Sequence, residues 1–289
     1  MTPTDDITVV IAAKDEARTI GALVSRSLGY ASGVIVVDGH STDDTVTVAA
    51  ASGARVLFDR GQGKGDALRL AIDAVPTGII VFLDGDGSHE PEDIPRLVAP
   101  ILDGRADHVS GSRLMGGSSE LHGGFDEFFR LTGSSLITAC INWRFGVRLS
   151  ESQNGFRAIR TTVARALRLR DNSTTIEQEM VIKTLRLGFR MAEVPAHEHR
   201  RSFGSSHITL WRAVPRYVVS LLWHLLPSPA TRGSRPSPLS HSSHPSHHSH
   251  PLHLSHPLHP SHPSHLSHLS PPSAPLPHRT RRARTFPPG

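Results

Sequence analysis

Four short apolar runs, at residues 7–12, 34–37, 55–58 and 79–83, constrain this chain more than any other feature. They are rich in β-branched residues and show little polar alternation, the pattern of strands buried on both faces. Between them lie the helix-like segments "EARTIGALVSRSL", "STDDTVTVAAAS" and "GDALRLAIDAV". The second opens on Ser41, a good N-cap, with acidic residues in its first turn. Strand and helix in alternation predict an α/β fold with a parallel sheet covered by helices. Ligands of such sheets bind beyond the carboxyl ends of the strands. Polar residues follow three of the runs: Lys14-Asp15-Glu16, Asp38 and Asp84-Gly85-Asp86. If these strands are neighbours, their carboxylates line one edge of the sheet.

The second part is less regular. "DHVSGSR" reads as a strand ending in Arg113, residues 125–145 as a helix, and "SQNGFRAIR" as a turn and short strand. "TIEQEMVIKTLRLG" reads as a helix closed by Gly188, and "FRMAEVPAHEHR" as a strand entering a basic loop. Residues 208–226 form a last amphipathic helix. Beyond it the composition turns to Ser, His, Pro and Leu, with His at every third position from His244 to His268. The expected organisation is a domain over residues 1–226 and a disordered tail over 227–289. Six of the 31 Lys and Arg lie in that tail, which has no acid, leaving 25 basic against 26 acidic residues in the domain. A near-neutral domain argues against nucleic acid as a partner. The single cysteine, Cys140, permits no intrachain disulfide. The N-terminus lacks the features of a signal peptide and no stretch is apolar enough to span a membrane, so a cytoplasmic protein is expected.

Asp84-Gly85-Asp86 is the sharpest motif. Two carboxylates one residue apart at a strand end can grip Mg²⁺ or Mn²⁺, whose remaining ligands are phosphate oxygens and water. "GQGKGDALRLAI" is a glycine-rich loop before a helix, but it is neither the dinucleotide fingerprint nor the P-loop. It offers Lys64 and backbone N–H groups to an anion. In "EHRRSFGSSH", Arg200 and Arg201 could close over a phosphate through their forked donors. Glu177 and Glu179 stand two apart on a helix, so at most one faces a site. His40, His89, His197 and His199 show no zinc spacing.

The order "VIVVDGHSTDDT", "GKGDALR", "DGDGSHEPEDIP", "GSR", "NGFRAIR" and "IEQEMVIKTLRLGFRMAEVPAHEHRRSFGSS" resembles family 2 inverting glycosyltransferases of the GT-A fold. The likeness covers about residues 7–212 and is strongest to dolichyl- or polyprenyl-phosphate mannose and glucose synthases. It implies a Rossmann-like, mostly parallel central sheet flanked by helices. It implies transfer of a hexose from GDP-mannose or UDP-glucose to a polyprenyl phosphate, with inversion. By the same resemblance Ala12, Lys14, Glu16 and Asp38 contact the nucleoside, and Asp84 and Asp86 hold the metal and diphosphate. Arg113, Arg157 and Arg201 line the phosphate region, and Glu179, rather than Glu177, faces the site. Asp86, Glu179 and Arg201 are the expected catalytic residues. The chain departs from the family pattern at Ala12, Asp15, Glu151 and His207, and has only Asp38 where two aspartates are common. The change at His207 leaves the diphosphate one cation short unless Lys64 or His207 compensates.

Two other reactions stay open at this stage. A hydroxyl acceptor would need Glu177 or Glu179 as a general base. A sugar-phosphate nucleotidyltransferase would carry its glycine-rich loop after the first strand, where this chain has "AAKDEA". A degenerate scaffold would not need the Asp84/Asp86 pair. The last helix carries Trp211, Val214, Tyr217, Val218, Leu221, Leu222 and Leu225 among Arg212 and Arg216. That pattern suits either packing on the domain or a peripheral position on the inner face of a membrane.

Overall fold

The computed structural model describes residues 4–119, 125–199 and 210–226. The basic loop with Arg200, Arg201 and His207, and the tail from residue 227, lie outside them. Seven strands form one sheet: β1 (Thr4–Ala13), β2 (Ala31–Asp38), β3 (Arg55–Phe58), β4 (Ile79–Asp84), β5 (His108–Ser112), β6 (Arg157–Arg160) and β7 (Met191–Pro195). Their order is β3-β2-β1-β4-β6-β5-β7. Only β6 runs antiparallel to its neighbours, β4 and β5. The four apolar runs fall within β1 to β4, and the mostly parallel sheet expected from them is present.

Side-chain alternation along the strands divides the core in two. Ile7, Val9 and Ile11 of β1, with Ile79, Val81 and Leu83 of β4, pack under α1 (Ile20–Ser27), α2 (Thr45–Ala51) and α4 (Ile94–Leu102). Val10, Ile80 and Phe82 pack on the opposite face under α3 (Lys64–Ala74), α7 (Thr161–Ala166) and α8 (Ile176–Arg186). With both faces covered, each strand can be apolar throughout. Burying one such side chain contributes roughly 1.5–3 kcal/mol. A third cluster joins α8 to α6 (Phe125–Phe145) and α9 (Leu210–Leu225) through Ile137, Ile141, Val181, Ile182 and Leu221.

Two local expectations fail for identifiable reasons. Ser41 caps no helix: α2 starts only at Thr45, and Ser41 donates its N–H (3.0 Å) and hydroxyl to the Asp38 carboxylate. The fifth strand stops at Ser112 rather than Arg113. Ser112 Oγ accepts from Met115 N–H at 3.3 Å and so caps the short α5 (Arg113–Gly116).

Candidate active site

Strand register gathers the site. Ala12 pairs with Asp84 on one side of β1, and Ala13 pairs with Asp38 on the other. The ends of β2, β1 and β4 therefore bring their following residues to one edge, and a cavity of about 540 Å³ opens there. Ala12, Lys14, Glu16, Lys64, Asp84 and Asp86, all singled out from the sequence, line it.

Lys64 is the centre of the charge arrangement. It opens α3, and its Nζ lies 2.5 Å from Asp84 Oδ1 and 2.7 Å from Glu177 Oε1. Burial alone would lower the lysine pKa. Attraction to Asp84 and Glu177 outweighs it and holds the pKa above the usual lysine range. Glu177 is 3 % exposed, and its Oε2 is buried without a hydrogen-bond partner. A cation thus already sits between two carboxylates that belong to different elements, with a further carboxylate oxygen unsatisfied beside them.

The glycine-rich loop explains how Lys64 gets there. Gly63 has φ 108°, a conformation open to glycine, and a Cβ on it would stand 2.7 Å from Asn172 O. A Cβ on Gly65 would meet Asp171 O at 2.1 Å, while Gly65 N–H donates to Asn172 O at 2.8 Å. These glycines let α3 begin directly against residues 171–172. Arg69 ties the same segment down through Arg170 O (3.1 Å) and Asn172 Oδ1 (2.5 Å). Thr174, two residues on, lines the cavity and accepts from Tyr217 Oη of α9 at 2.8 Å.

Of the two helical glutamates Glu177, not Glu179, reaches a residue that lines the cavity, through its contact with Lys64. The Glu179 carboxylate accepts the backbone N–H of Arg170 (2.9 Å) and Asp171 (2.8 Å) and pairs with Lys183 at 2.5 Å. It holds the 170–172 segment instead of facing the site. The arginines also differ from expectation. Arg157 is wholly buried, donating to Asn154 O at 3.0 Å and Glu177 O at 3.3 Å, and burial pulls its pKa below the usual value. Arg113 is held by Glu151 and by Glu198 at 2.8 Å. Burial raises the Glu151 pKa, with the Arg113 charge in opposition, and Glu151 is not among the residues lining the cavity. Asp38 is 1 % exposed and engaged by Ser41, so it shapes the loop beside the cavity rather than lining it.

Asp59 was missed in the sequence, and His40 was weighed there only as a zinc ligand. Asp59 follows β3, as Asp38 and Asp84 end β2 and β4, which was the available signal. It lines the cavity, accepts Gly61 N–H at 2.7 Å, and lies 3.4 Å from His40 Nε2.

Known proteins resemble this chain in sequence and fold. The sequence profile of glycosyl transferase family 2 matches residues 8–170. Glycosyltransferase AglJ of Haloferax volcanii is 30% identical over 207 residues, 70% of this chain and 66% of AglJ, so the chain spans just under two thirds of that relative. A dolichyl-phosphate hexose transferase of the same organism is 28% identical over 68% of this chain and 85% of its own length. Glucosyl-3-phosphoglycerate synthase of Mycobacterium tuberculosis, solved with Mn²⁺, uridine diphosphate and glucosyl-3-phosphoglycerate, superposes with a TM-score of 0.61 at 27% identity. That match covers 78% of this chain and 82% of the synthase. These structures bear out the GT-A fold class.

Proposed function

We propose that this chain, which belongs to glycosyl transferase family 2, moves a hexose from a nucleotide sugar to a polyprenyl phosphate with inversion at the anomeric carbon. The observation that carries the reading is the Lys64 ammonium set between Asp84 and Glu177 at the mouth of the strand-end cavity. Such a cavity suits a ligand that brings negative charge together with its own cation.

The donor set fits a divalent metal. Carboxylates gather at one point, an ammonium stands in the cation's place, and Glu177 Oε2 has no partner. Asp84 and Asp86 would hold Mg²⁺ or Mn²⁺, which supplies Lewis-acid neutralisation of a leaving nucleoside diphosphate. The chain's own residues do the rest. Ala12, Lys14 and Glu16 flank the nucleoside, and the Asp59 carboxylate accepts from N–H groups of the base. Lys64 turns from the carboxylates toward the diphosphate and stabilises its developing charge. Arg200 and Arg201 meet the acceptor phosphate.

The partners of the two helical glutamates support a phosphate acceptor. A hydroxyl must lose a proton to attack, and a base poised near neutrality would be required. Glu177 is paired with Lys64 at 2.7 Å, and Glu179 is turned into the fold. A phosphate is already anionic and needs no base. One related protein points the same way, a dolichyl-phosphate hexose transferase. No helix among the described residues is long and apolar enough to cross a membrane, so a lipid acceptor would be met at the inner membrane face by a peripheral protein.

The test is a matrix of GDP-mannose and UDP-glucose against polyprenyl phosphate, 3-phosphoglycerate and soluble alcohols, with Mn²⁺ or EDTA. Labelled hexose should enter the lipid phase with one donor and only with metal. Transfer confined to a soluble acceptor would defeat the lipid assignment.

A further inference from the structure

Helices α6 and α9 each carry two apolar stripes. One stripe of each is buried: Ile137 and Ile141 of α6 meet Leu221 of α9 in the cluster they share with α8. The second stripes point the other way. On α6 the residues Leu136, Ala139, Cys140 and Trp143 follow the spacing of one helical face, and all are exposed. On α9 and just beyond it, Val219, Leu222, Trp223 and Leu226 repeat that spacing. Trp143 is 87% exposed and Trp223 71%, while Leu136, Val219, Leu222 and Leu226 are each more than half exposed. Packing among the described residues explains the inner stripes and leaves the outer ones exposed. Exposed apolar stripes of this kind mark an interaction site.

Basic residues follow or precede the exposed tryptophans on both helices. Arg144 and Arg148 follow Trp143, and Arg216 stands two turns before Trp223; all three are exposed. Burial, and then the nearby Arg144 charge, lowers the pKa of Arg186 of α8. The sequence contains no Asp or Glu from Gly133 to Ser150 and none after Glu198.

We propose that the outer face of α6 and α9 docks the protein on a bilayer surface bearing anionic headgroups. Tryptophan belongs at the headgroup level, and apolar residues beside arginine suit an interfacial helix. A second copy of this chain is the weaker occupant. In a two-fold interface the patch meets itself, which sets Arg144, Arg148 and Arg216 against their own kind. Docking also has a route to chemistry, because α9 carries Tyr217, whose hydroxyl holds Thr174 at the cavity. The surface extends the lipid-phosphate reading, and its test contains no acceptor lipid, so the two ideas fail separately.

The experiment is flotation of the purified full chain with vesicles of phosphatidylcholine alone or mixed with phosphatidylglycerol. A triple variant, Trp143→Ser, Leu222→Ser and Trp223→Ser, is run beside it. These side chains are exposed, so the variant should keep its circular dichroism melt. The wild type should float with the anionic vesicles, poorly with the neutral ones, and less as salt rises. The variant should lose at least about tenfold in vesicle affinity. Equal flotation of variant and wild type would overturn the proposal, since the basic tail alone would then be the anchor. So would failure of the wild type to bind any vesicle. So would a concentration-dependent dimer, seen by light scattering, that the triple variant abolishes.

Discussion

Replacing Lys64 with methionine isolates the cation between the carboxylates. Methionine keeps most of the length and the apolar stem but removes the ammonium. Asp84 and Glu177, which Lys64 now holds at 2.5 and 2.7 Å, would lose that shared cation. Each contact is worth several kcal/mol gross at an effective dielectric near about 20, and the desolvation of the lysine offsets much of that. Breaking a buried pair by removing one partner typically costs about 3–5 kcal/mol. In a domain of this size each kcal/mol lowers Tm by roughly 2–4 °C, so Lys64→Met should melt about 6–20 °C below wild type in EDTA. Adding Mn²⁺ should then raise the Tm of the variant more than that of the wild type, because no ammonium competes for the carboxylates. Differential scanning fluorimetry in EDTA and in Mn²⁺ measures both effects. A loss below about 1 kcal/mol, the range of a surface pair, would refute the stated role of Lys64. A Mn²⁺ response equal to that of the wild type would refute the metal placement.

Three further outcomes follow from the same geometry. Glu179→Gln should lower stability by about 2 kcal/mol, because charged acceptors of Arg170 and Asp171 N–H and the Lys183 pair are lost, yet leave transfer per folded molecule near wild type in a urea-titrated activity assay. Gly65→Ala should cost at least about 2 kcal/mol, since its Cβ meets Asp171 O, whereas Gly133→Ala, with no heavy atom within 4 Å, should be neutral or stabilising in thermal melts. Burial opposes ionisation of Asp171, but bonds from His224, Thr175 and Ser220 hold its pKa down to about 2 from 3.8. That depressed carboxylate contributes stability above about pH 4 that is lost as pH falls through about 2, so Asp171→Asn should flatten the acid limb of the stability–pH curve in that window.

Legibility of the site in the sequence followed how each residue is presented. Asp84 and Asp86 were readable because an apolar strand runs straight into them, and register alone then brings Asp84 beside Ala12. Lys64 was readable from the glycines around it, although their steric reason, the approach of α3 to residues 171–172, was not. The choice between Glu177 and Glu179 could not be made from periodicity. Every residue of α8 from Ile176 to Ile182 is buried, so no polar stripe marks the face that meets the cavity. Arg113 carries the expected motif, but its partners Glu151 and Glu198 come from distant positions, and Arg157 is turned inward onto Asn154 three residues before it. Ser41 has N-cap chemistry, and a nearer acceptor, Asp38, takes it.

The most direct measurement compares acceptors in wild type and Glu177→Gln, with the matched nucleotide sugar and Mn²⁺. A general base supplies about 10²–10⁴-fold in rate. Because an anionic phosphate needs none, Glu177→Gln should retain hexose transfer to polyprenyl phosphate within about tenfold of wild type, once corrected for the folded fraction. If instead the wild type ignores every polyprenyl phosphate, glycosylates a hydroxyl acceptor, and loses that activity by about 10²-fold or more in Glu177→Gln, then Glu177 is a base and the account of the acceptor is contradicted.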